Sequence, residues 1–330
     1  MDPLDRLDEL PRAALTDRKA VVVLLHGLLS TDVGLFDPIV RLLRSDSTTA
    51  KEIPIVGWPH DTLAGIGTNA LQLRRLIDDV IGVQGPPVAF VCHSRGGLLA
   101  RCVAVHLSEK HAGWVQKLRA CVTFGTPHEG CPLAEAPGDL LGKAIAVGSW
   151  RAARGAFSLL DGLEYTHLAR RAEGIEDLRP LTGRGTFLKE LLEREAKFAP
   201  RGERALDIFA VGGETPQAGL FGLLSKRALA GRPNDLVVEL RSSVPRFAAD
   251  AGNDGLARSG KTDCDHFTYF TDAEAQKSHF ADAIAFLERK LDQKIAAAAN
   301  VAAFQGEGGP DDPRRQRRRP NWSAANVPQE

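Results

Sequence analysis

The sequence contains few cysteines and no metal-binding pattern among them. The five cysteines are scattered, and no two form a Cys-x-x-Cys pair: Cys92, Cys102, Cys121, Cys131 and Cys264. Because structural zinc sites usually take two ligands from such a pair, the spacing argues against a zinc site. We expect these cysteines to be reduced, mostly buried thiols of a cytoplasmic protein.

The chain also lacks an excess of charge and a long hydrophobic segment. Lys+Arg and Asp+Glu number 42 each, so the formal net charge is zero, and nothing in this balance indicates a nucleic-acid partner. No run approaches the roughly 18 apolar residues that a membrane span requires. Residues 1–5 are acidic and lack the basic-then-apolar order of a signal peptide. We therefore expect a cytoplasmic location.

The order of apolar patterns predicts an α/β fold. With 330 residues, of which 43% are hydrophobic, the chain suits one large domain with an insertion. Continuous β-branched and apolar runs, typical of strands buried on both faces, occur at 20–25, 53–57, 88–92, 119–124 and 206–211. Helical spacing lies between and after them, at 69–81, 98–107 and 273–291. This alternation predicts a mostly parallel central sheet flanked by helices.

Three regions depart from the alternation. Residues 1–18 read as an N-terminal segment, and 19–304 as the α/β domain. Within that domain, about 133–200 is almost entirely helix-forming, which indicates either a helical cap inserted over the site or extra helical packing. Residues 305–330 combine Gly, Pro and charge with five arginines, and this composition predicts a disordered, solvated tail.

A serine lies where a buried strand meets a helix. Residues 88–100 read as strand, sharp turn and helix, with Ser94 at the turn. A serine held there is strained, and its hydroxyl stands at the positive end of the following helix, where N–H groups stabilise an oxyanion. Small residues are needed two places before and two places after the serine, because the strand and helix backbones pass closely there. Gly96 meets this need, whereas Cys92 stands at the position where such a turn usually has glycine. The alternative is a serine that only caps a helix.

Two further segments carry a family resemblance. His26-Gly27 follows the first strong strand, and Gly125-Thr126-Pro127 follows the strand at 119–124. With the Ser94 turn, these segments resemble the α/β-hydrolase superfamily, in particular bacterial lipases and esterases, over about residues 19–290. The resemblance implies an α/β-hydrolase fold and an oxyanion hole formed by the N–H groups of Leu28 and Arg95. It also implies that His26 is structural, and we expect His93 to be a packing residue that points away from the serine.

In this superfamily the acid and the base follow the serine in the order Ser, Asp, His. Asp235, in Asn-Asp-Leu-Val-Val, resembles the segment that carries the lipase aspartate, and Glu214 is the alternative acid. His266 lies in a loop before the last helix, where similar lipases carry their histidine. His279 falls inside that helix and is expected to be a surface or packing residue.

These residues predict a serine hydrolase that cleaves carboxylic esters through an acyl-enzyme, lipase- or phospholipase-like, with no metal or organic cofactor. Acyl transfer, thioester or amide cleavage on the same residues, and a catalytically silent binding module, remain open. The expected partner is an ester or lipid substrate. Residues 220–229, with Lys226 and Arg227, suit either an amphipathic helix in peripheral contact with a membrane or the protein core.

Overall fold

The computed structural model describes residues 5–28, 36–44, 53–135, 172–183, 185–198, 206–215, 229–244, 259–271, 274 and 277–291. Within these residues, seven strands form one sheet in the order β1-β3-β2-β4-β5-β6-β7, and every neighbouring pair is parallel. The strands are β1 (Asp5–Arg6), β2 (Val21–Leu25), β3 (Ile55–Gly57), β4 (Val88–His93), β5 (Leu118–Phe124), β6 (Ile208–Gly213) and β7 (Ser259–Thr262). The predicted α/β class is confirmed.

Helices cover both faces of the sheet, which is why the strands are apolar without interruption. The helices are α1 (Asp37–Leu43), α2 (Ile66–Val80), α3 (Arg95–Lys110), α4 (Gly113–Lys117), α5 (Glu173–Glu176), α6 (Phe187–Ala196), α7 (Leu240–Ser243) and α8 (Ser278–Leu291). Val21, Val23 and Leu25 share one core with α2, α3 and α4, whereas Val22 and Leu24 share a second core with α1 and α8. Because successive strand side chains point to opposite faces, one β-branched run supplies both cores.

The winding direction of the sheet changes between β2 and β4. The chain passes from β2 to β3 on one side and then places β4 on the other side of β2. In open parallel sheets this leaves a crevice at the carboxyl ends of the two strands, where ligands bind. His26 directly follows β2 and Ser94 directly follows β4. The topology therefore brings two of the sequence motifs to the same edge.

The edges of the sheet are short strands that the sequence patterns did not indicate. β1 pairs with β3, and the following Leu7 is fully buried in the core. Residues 5–7 of the predicted N-terminal segment therefore pair with the sheet and pack against its core. At the other edge, β7 reads Ser-Gly-Lys-Thr and pairs with β6. Strands this short and polar leave no hydrophobic pattern in the sequence.

Part of the predicted helical insertion at 133–200 is described. Helix α6 buries Leu188 and Leu191 in the core that it shares with α3, so this helix packs directly on the sheet domain. The rest of the insertion, most of the apolar stretch at 220–229 and the arginine-rich tail at 305–330 lie outside the described residues. None of the described helices combines the length and apolar character needed to cross a bilayer.

Candidate active site

Ser94 occupies a strained turn between β4 and α3. Its φ is 52° and its ψ −127°, a conformation that costs a residue with a Cβ about 1–3 kcal/mol. Two hydrogen bonds hold it there. The Ser94 N–H donates to the Phe124 carbonyl at 2.8 Å, and Thr126 Oγ1 donates to the Ser94 carbonyl at 2.8 Å. The loop after β5 thereby fixes the turn on which the hydroxyl stands.

Small residues flank the turn because backbones approach closely there. A Cβ atom on Gly96 would lie 2.2 Å from the carbonyl oxygen of Leu25 and 2.8 Å from that of His26. No side chain fits, as expected from the sequence. Cys92, where the pattern has glycine, is fully buried, and its Sγ lies 3.7 Å from the Sγ of Cys121. The core between β4 and β5 accommodates the larger residue.

The strain at Ser94 predicts that, of two substitutions that both remove the hydroxyl, glycine gives a more stable protein than alanine. Glycine removes the Cβ that penalises a φ of 52°, although its more flexible unfolded chain offsets part of the gain. We expect the free energy of unfolding of Ser94→Gly to exceed that of Ser94→Ala by about 1 kcal/mol. Urea unfolding of Ser94→Gly beside Ser94→Ala measures this, since alanine also lacks the hydroxyl but keeps the Cβ. Equal stability of the two variants would contradict a strained turn.

Three side chains far apart in sequence form one hydrogen-bonded chain at this edge of the sheet. His266 Nε2 lies 2.9 Å from Ser94 Oγ, and His266 Nδ1 lies 2.8 Å from Asp235 Oδ2. A carboxylate only accepts, so Nδ1–H donates to Asp235 and Nε2 accepts the serine hydroxyl. All three side chains are buried, and the His266 N–H also donates to the Asp235 carbonyl at 2.8 Å. The loop after β7 and the segment before α7 therefore meet above Ser94.

A tight turn fixes the Asp235 carboxylate. Its Oδ1 accepts the N–H groups of Val237 at 3.0 Å and Val238 at 2.7 Å. This geometry requires Leu236 to adopt a φ of 81°, which is uncommon for a residue with a Cβ and is held by the bonds around it. The Asn-Asp-Leu-Val-Val segment is thus built around its aspartate.

The second carboxylate oxygen accepts two side-chain donors. Oδ2 receives His266 Nδ1–H and the Tyr269 hydroxyl, the latter at 2.8 Å. Burial pushes the pKa of Asp235 upward, but the adjacent His266 and the hydrogen bonds to the carboxylate outweigh it, so the pKa lies below its ordinary value. Asp235 is therefore ionised at neutral pH, although it is fully buried.

The two residues considered as alternatives lie elsewhere. Glu214 forms an ion pair with Lys261, and their side chains are 36% and 54% exposed. Its carboxylate faces solvent rather than His266. His279 is buried in α8, where burial lowers its pKa to about 4 and its Nε2 lies 3.7 Å from Glu274. The structure thus joins Asp235, and not Glu214, to the histidine of the 263–271 loop.

The loop after β2 passes directly against the serine. A Cβ atom on Gly27 would lie 2.8 Å from Ser94 Cβ and 3.4 Å from Ser94 Oγ, so only glycine fits there. Leu28 follows and is buried. Arg95 is the first residue of α3, and its N–H therefore has no partner within the helix. The backbones of both predicted oxyanion-hole residues thus adjoin the Ser94 turn.

Two histidines support this arrangement. His26 Nδ1–H donates to the Gly27 carbonyl at 3.0 Å, and its ring stacks on His60 with centroids 4.1 Å apart. His93 Nε2–H donates to the His266 carbonyl at 2.9 Å, and burial lowers the pKa of His93 to about 3, so it is neutral. His93 is therefore more than the expected packing residue, because it holds the backbone that carries His266.

The arrangement contains the parts that a nucleophilic hydroxyl requires. An imidazole that accepts a hydroxyl proton at Nε2 and donates from Nδ1 to a buried carboxylate can remove the proton and be stabilised as a cation. The N-terminus of α3 adds free N–H groups and positive potential. Among the residues that the structure describes, no three His, Cys, Asp or Glu side chains are grouped so that they could hold a metal ion.

Solved structures similar to this chain include bacterial lipases. Lipase 1 from Pelosinus fermentans matches with a TM-score of 0.50 and 12% identity, over 83% of this chain and 99% of that one. The mature lipase BlEst2 of Bacillus licheniformis matches with a TM-score of 0.48 and 18% identity, over 86% of this chain and 96% of that one. Phospholipase PlaB from Legionella pneumophila matches with a TM-score of 0.47 and 15% identity, over 68% of this chain and 45% of that one. The Pelosinus match concerns the fold alone, and the predicted α/β-hydrolase fold is confirmed.

A comparison with curated proteins finds no match. A family model does match residues 3–282, a range that begins before β1 and ends within α8. It includes Ser94, Asp235 and His266. The chain belongs to the family described as Domain of unknown function (DUF7379).

Proposed function

We propose that this chain is a serine hydrolase of carboxylic esters, with Ser94 as nucleophile, His266 as general base and Asp235 as the acid that orients the histidine. The observation that carries the proposal is the pair of hydrogen bonds at His266, 2.9 Å to Ser94 Oγ and 2.8 Å to Asp235 Oδ2. These distances allow proton transfer without rearrangement of the three side chains. The strained turn at the head of α3 supports the same assignment.

The proposed reaction has two halves. His266 Nε2 takes the hydroxyl proton while Ser94 Oγ attacks the ester carbonyl, and the N–H groups of Leu28 and Arg95 bind the resulting oxyanion. His266 then gives the proton to the departing alcohol, which leaves an acyl group on Ser94. A water molecule attacks this acyl group in the same way, releasing the acid and free Ser94. Loss of one oxyanion donor typically costs about 10²–10³-fold in rate.

We assign lipid esters as the substrate class. Lipase 1 from Pelosinus fermentans, which shares the fold, is named a lipase. We propose that this chain also cleaves lipid esters. An imidazole that is hydrogen-bonded to both the serine hydroxyl and a buried carboxylate suits attack on an uncharged ester carbonyl.

Covalent labelling tests the proposal before the substrate is known. We expect a fluorophosphonate probe to label the protein once, at Ser94, and peptide mapping checks the site. A series of p-nitrophenyl esters from acetate to palmitate, with phospholipid vesicles beside it, then measures the acyl preference, which we expect to rise with chain length. A folded protein that does not react with the probe would identify a silent binding module. Cleavage of thioesters or amides in preference to esters would reassign the substrate.

A further inference from the structure

The Asp235 carboxylate has a donor to which no role is yet assigned. Tyr269 is fully buried, and its hydroxyl lies 2.8 Å from Asp235 Oδ2, the same oxygen that receives His266 Nδ1–H. The Gly213 N–H donates to the tyrosine oxygen at 2.7 Å. Because the phenol has a single proton and a backbone N–H can only donate, that proton points at the carboxylate.

The Tyr269 ring and hydroxyl lie close against the backbone at two glycines. A Cβ atom on Gly213, at the end of β6, would lie 2.9 Å from the Tyr269 hydroxyl and 3.0 Å from Asp235 Cβ. A Cβ on Gly125 would lie 2.7 Å from the Tyr269 ring, 2.9 Å from Asp235 Oδ2 and 3.1 Å from His266 Nδ1. The tyrosine, the aspartate and the histidine therefore pack together against two glycines, which lie at the ends of neighbouring strands.

The phenol does something that a phenylalanine could not do. A phenyl ring would fill nearly the same space, so packing alone does not require the hydroxyl. The hydroxyl links the end of β6 to Oδ2 and brings a partial positive charge to the oxygen that faces the imidazole. It thereby limits how far Oδ2 can turn, and it weakens the negative field that His266 experiences.

We propose that Tyr269 is a positioning residue that sets the orientation and the effective charge of Asp235 toward His266. This inference rests on the proposed function. Without the phenol proton, the carboxylate would act more strongly on the imidazolium and would favour the protonated histidine. Ser94 attack requires the neutral histidine, so the pH at which reactivity is half-maximal should move upward.

The other groups around the pair keep their charge in the relevant range. The titratable side chains that interact with Asp235 or His266 include His93, Cys131, Cys264 and Tyr269. Burial lowers the pKa of His93 to about 3 and raises that of Cys131 to about 12. Burial also raises the pKa of Cys264 and of Tyr269.

The test is the pH dependence of fluorophosphonate labelling in the full-length protein, because the probe needs no known substrate. In Tyr269→Phe we expect the pH of half-maximal labelling to rise by about 0.5 to 1 unit. The labelling rate at the high-pH plateau should fall about 10-fold. Phe286→Leu is the control for lost stability, since this buried residue of α8 packs on Phe209, with ring centroids 5.6 Å apart, in the same core as Tyr269. Its labelling profile should match that of the wild type.

A double-mutant cycle separates a role through Asp235 from a structural one. In an Asp235→Asn background, Tyr269→Phe should change the labelling rate less than twofold, because the charge that the phenol acts on is gone. An unmoved or lowered midpoint, or an undiminished effect in the Asp235→Asn background, would overturn the inference. A wild-type protein that does not label at all is a different result, since it removes the proposed function itself.

Discussion

Ser94→Ala is expected to abolish fluorophosphonate labelling and to reduce ester hydrolysis by about 10⁴- to 10⁶-fold. The hydroxyl lies 2.9 Å from His266 Nε2, which takes its proton in the proposed reaction. Its removal takes one hydrogen bond from the folded state, worth about 1 kcal/mol, so Tm should change by only about 2 °C. Labelling, hydrolysis of p-nitrophenyl esters and thermal unfolding of the same preparation measure all three quantities.

Ser108→Ala is the matched control for this change. Ser108 lies in α3, the helix that follows the Ser94 turn, and it is also buried; within the described residues its hydroxyl has no hydrogen-bond partner. The substitution removes the same atom from another buried serine, and we expect labelling and hydrolysis to stay at the wild-type level. Labelling that persists in Ser94→Ala and disappears in Ser108→Ala would place the nucleophile elsewhere.

Ser94 could be singled out from the sequence by a local pattern with a local cause, whereas Asp235 and His266 were singled out by their resemblance to lipase segments. Ser94 follows a buried strand and precedes two glycines, and the close approach of Gly96 to Leu25 shows why a larger residue is excluded. Asp235 lies in a turn whose N–H groups point at its own carboxylate. The five predicted strands were likewise evident, since an apolar run buried on both faces is visible without knowledge of its partners.

What the sequence did not reveal depends on contacts between distant segments. Tyr269 reads as an aromatic residue of a loop, and only the meeting of β6 with the segment around Asp235 gives its hydroxyl two partners. His93 was expected only to pack, because a histidine before the serine does not show that its Nε2–H reaches the carbonyl of His266. The edge strands β1 and β7 are held by backbone pairing, which leaves little trace in the side chains.

Asp235→Asn is expected to lower the labelling rate and kcat/KM by about 10⁴-fold while the fold is retained. Two backbone N–H groups bind Oδ1 of Asp235, so in the variant the amide oxygen should keep that position. The amide NH₂ then occupies the place of Oδ2 and donates to His266 Nδ1. This forces the histidine proton onto Nε2, and Nε2 can then no longer accept the proton of Ser94. The loss therefore arises from the wrong tautomer as well as the missing charge.

Glu214→Gln is the comparison that decides which carboxylate is the acid. Its partner is Lys261, and this exposed pair contributes at most about 1 kcal/mol to stability. Because no contact links Glu214 to His266, we expect kcat/KM to stay within about twofold of the wild type, inside the scatter of neutral surface substitutions. A severe loss in Glu214→Gln together with a mild one in Asp235→Asn would transfer the acid role. A buried carboxylate with four donors would then be structural, and the hydrogen bond from His266 would be incidental.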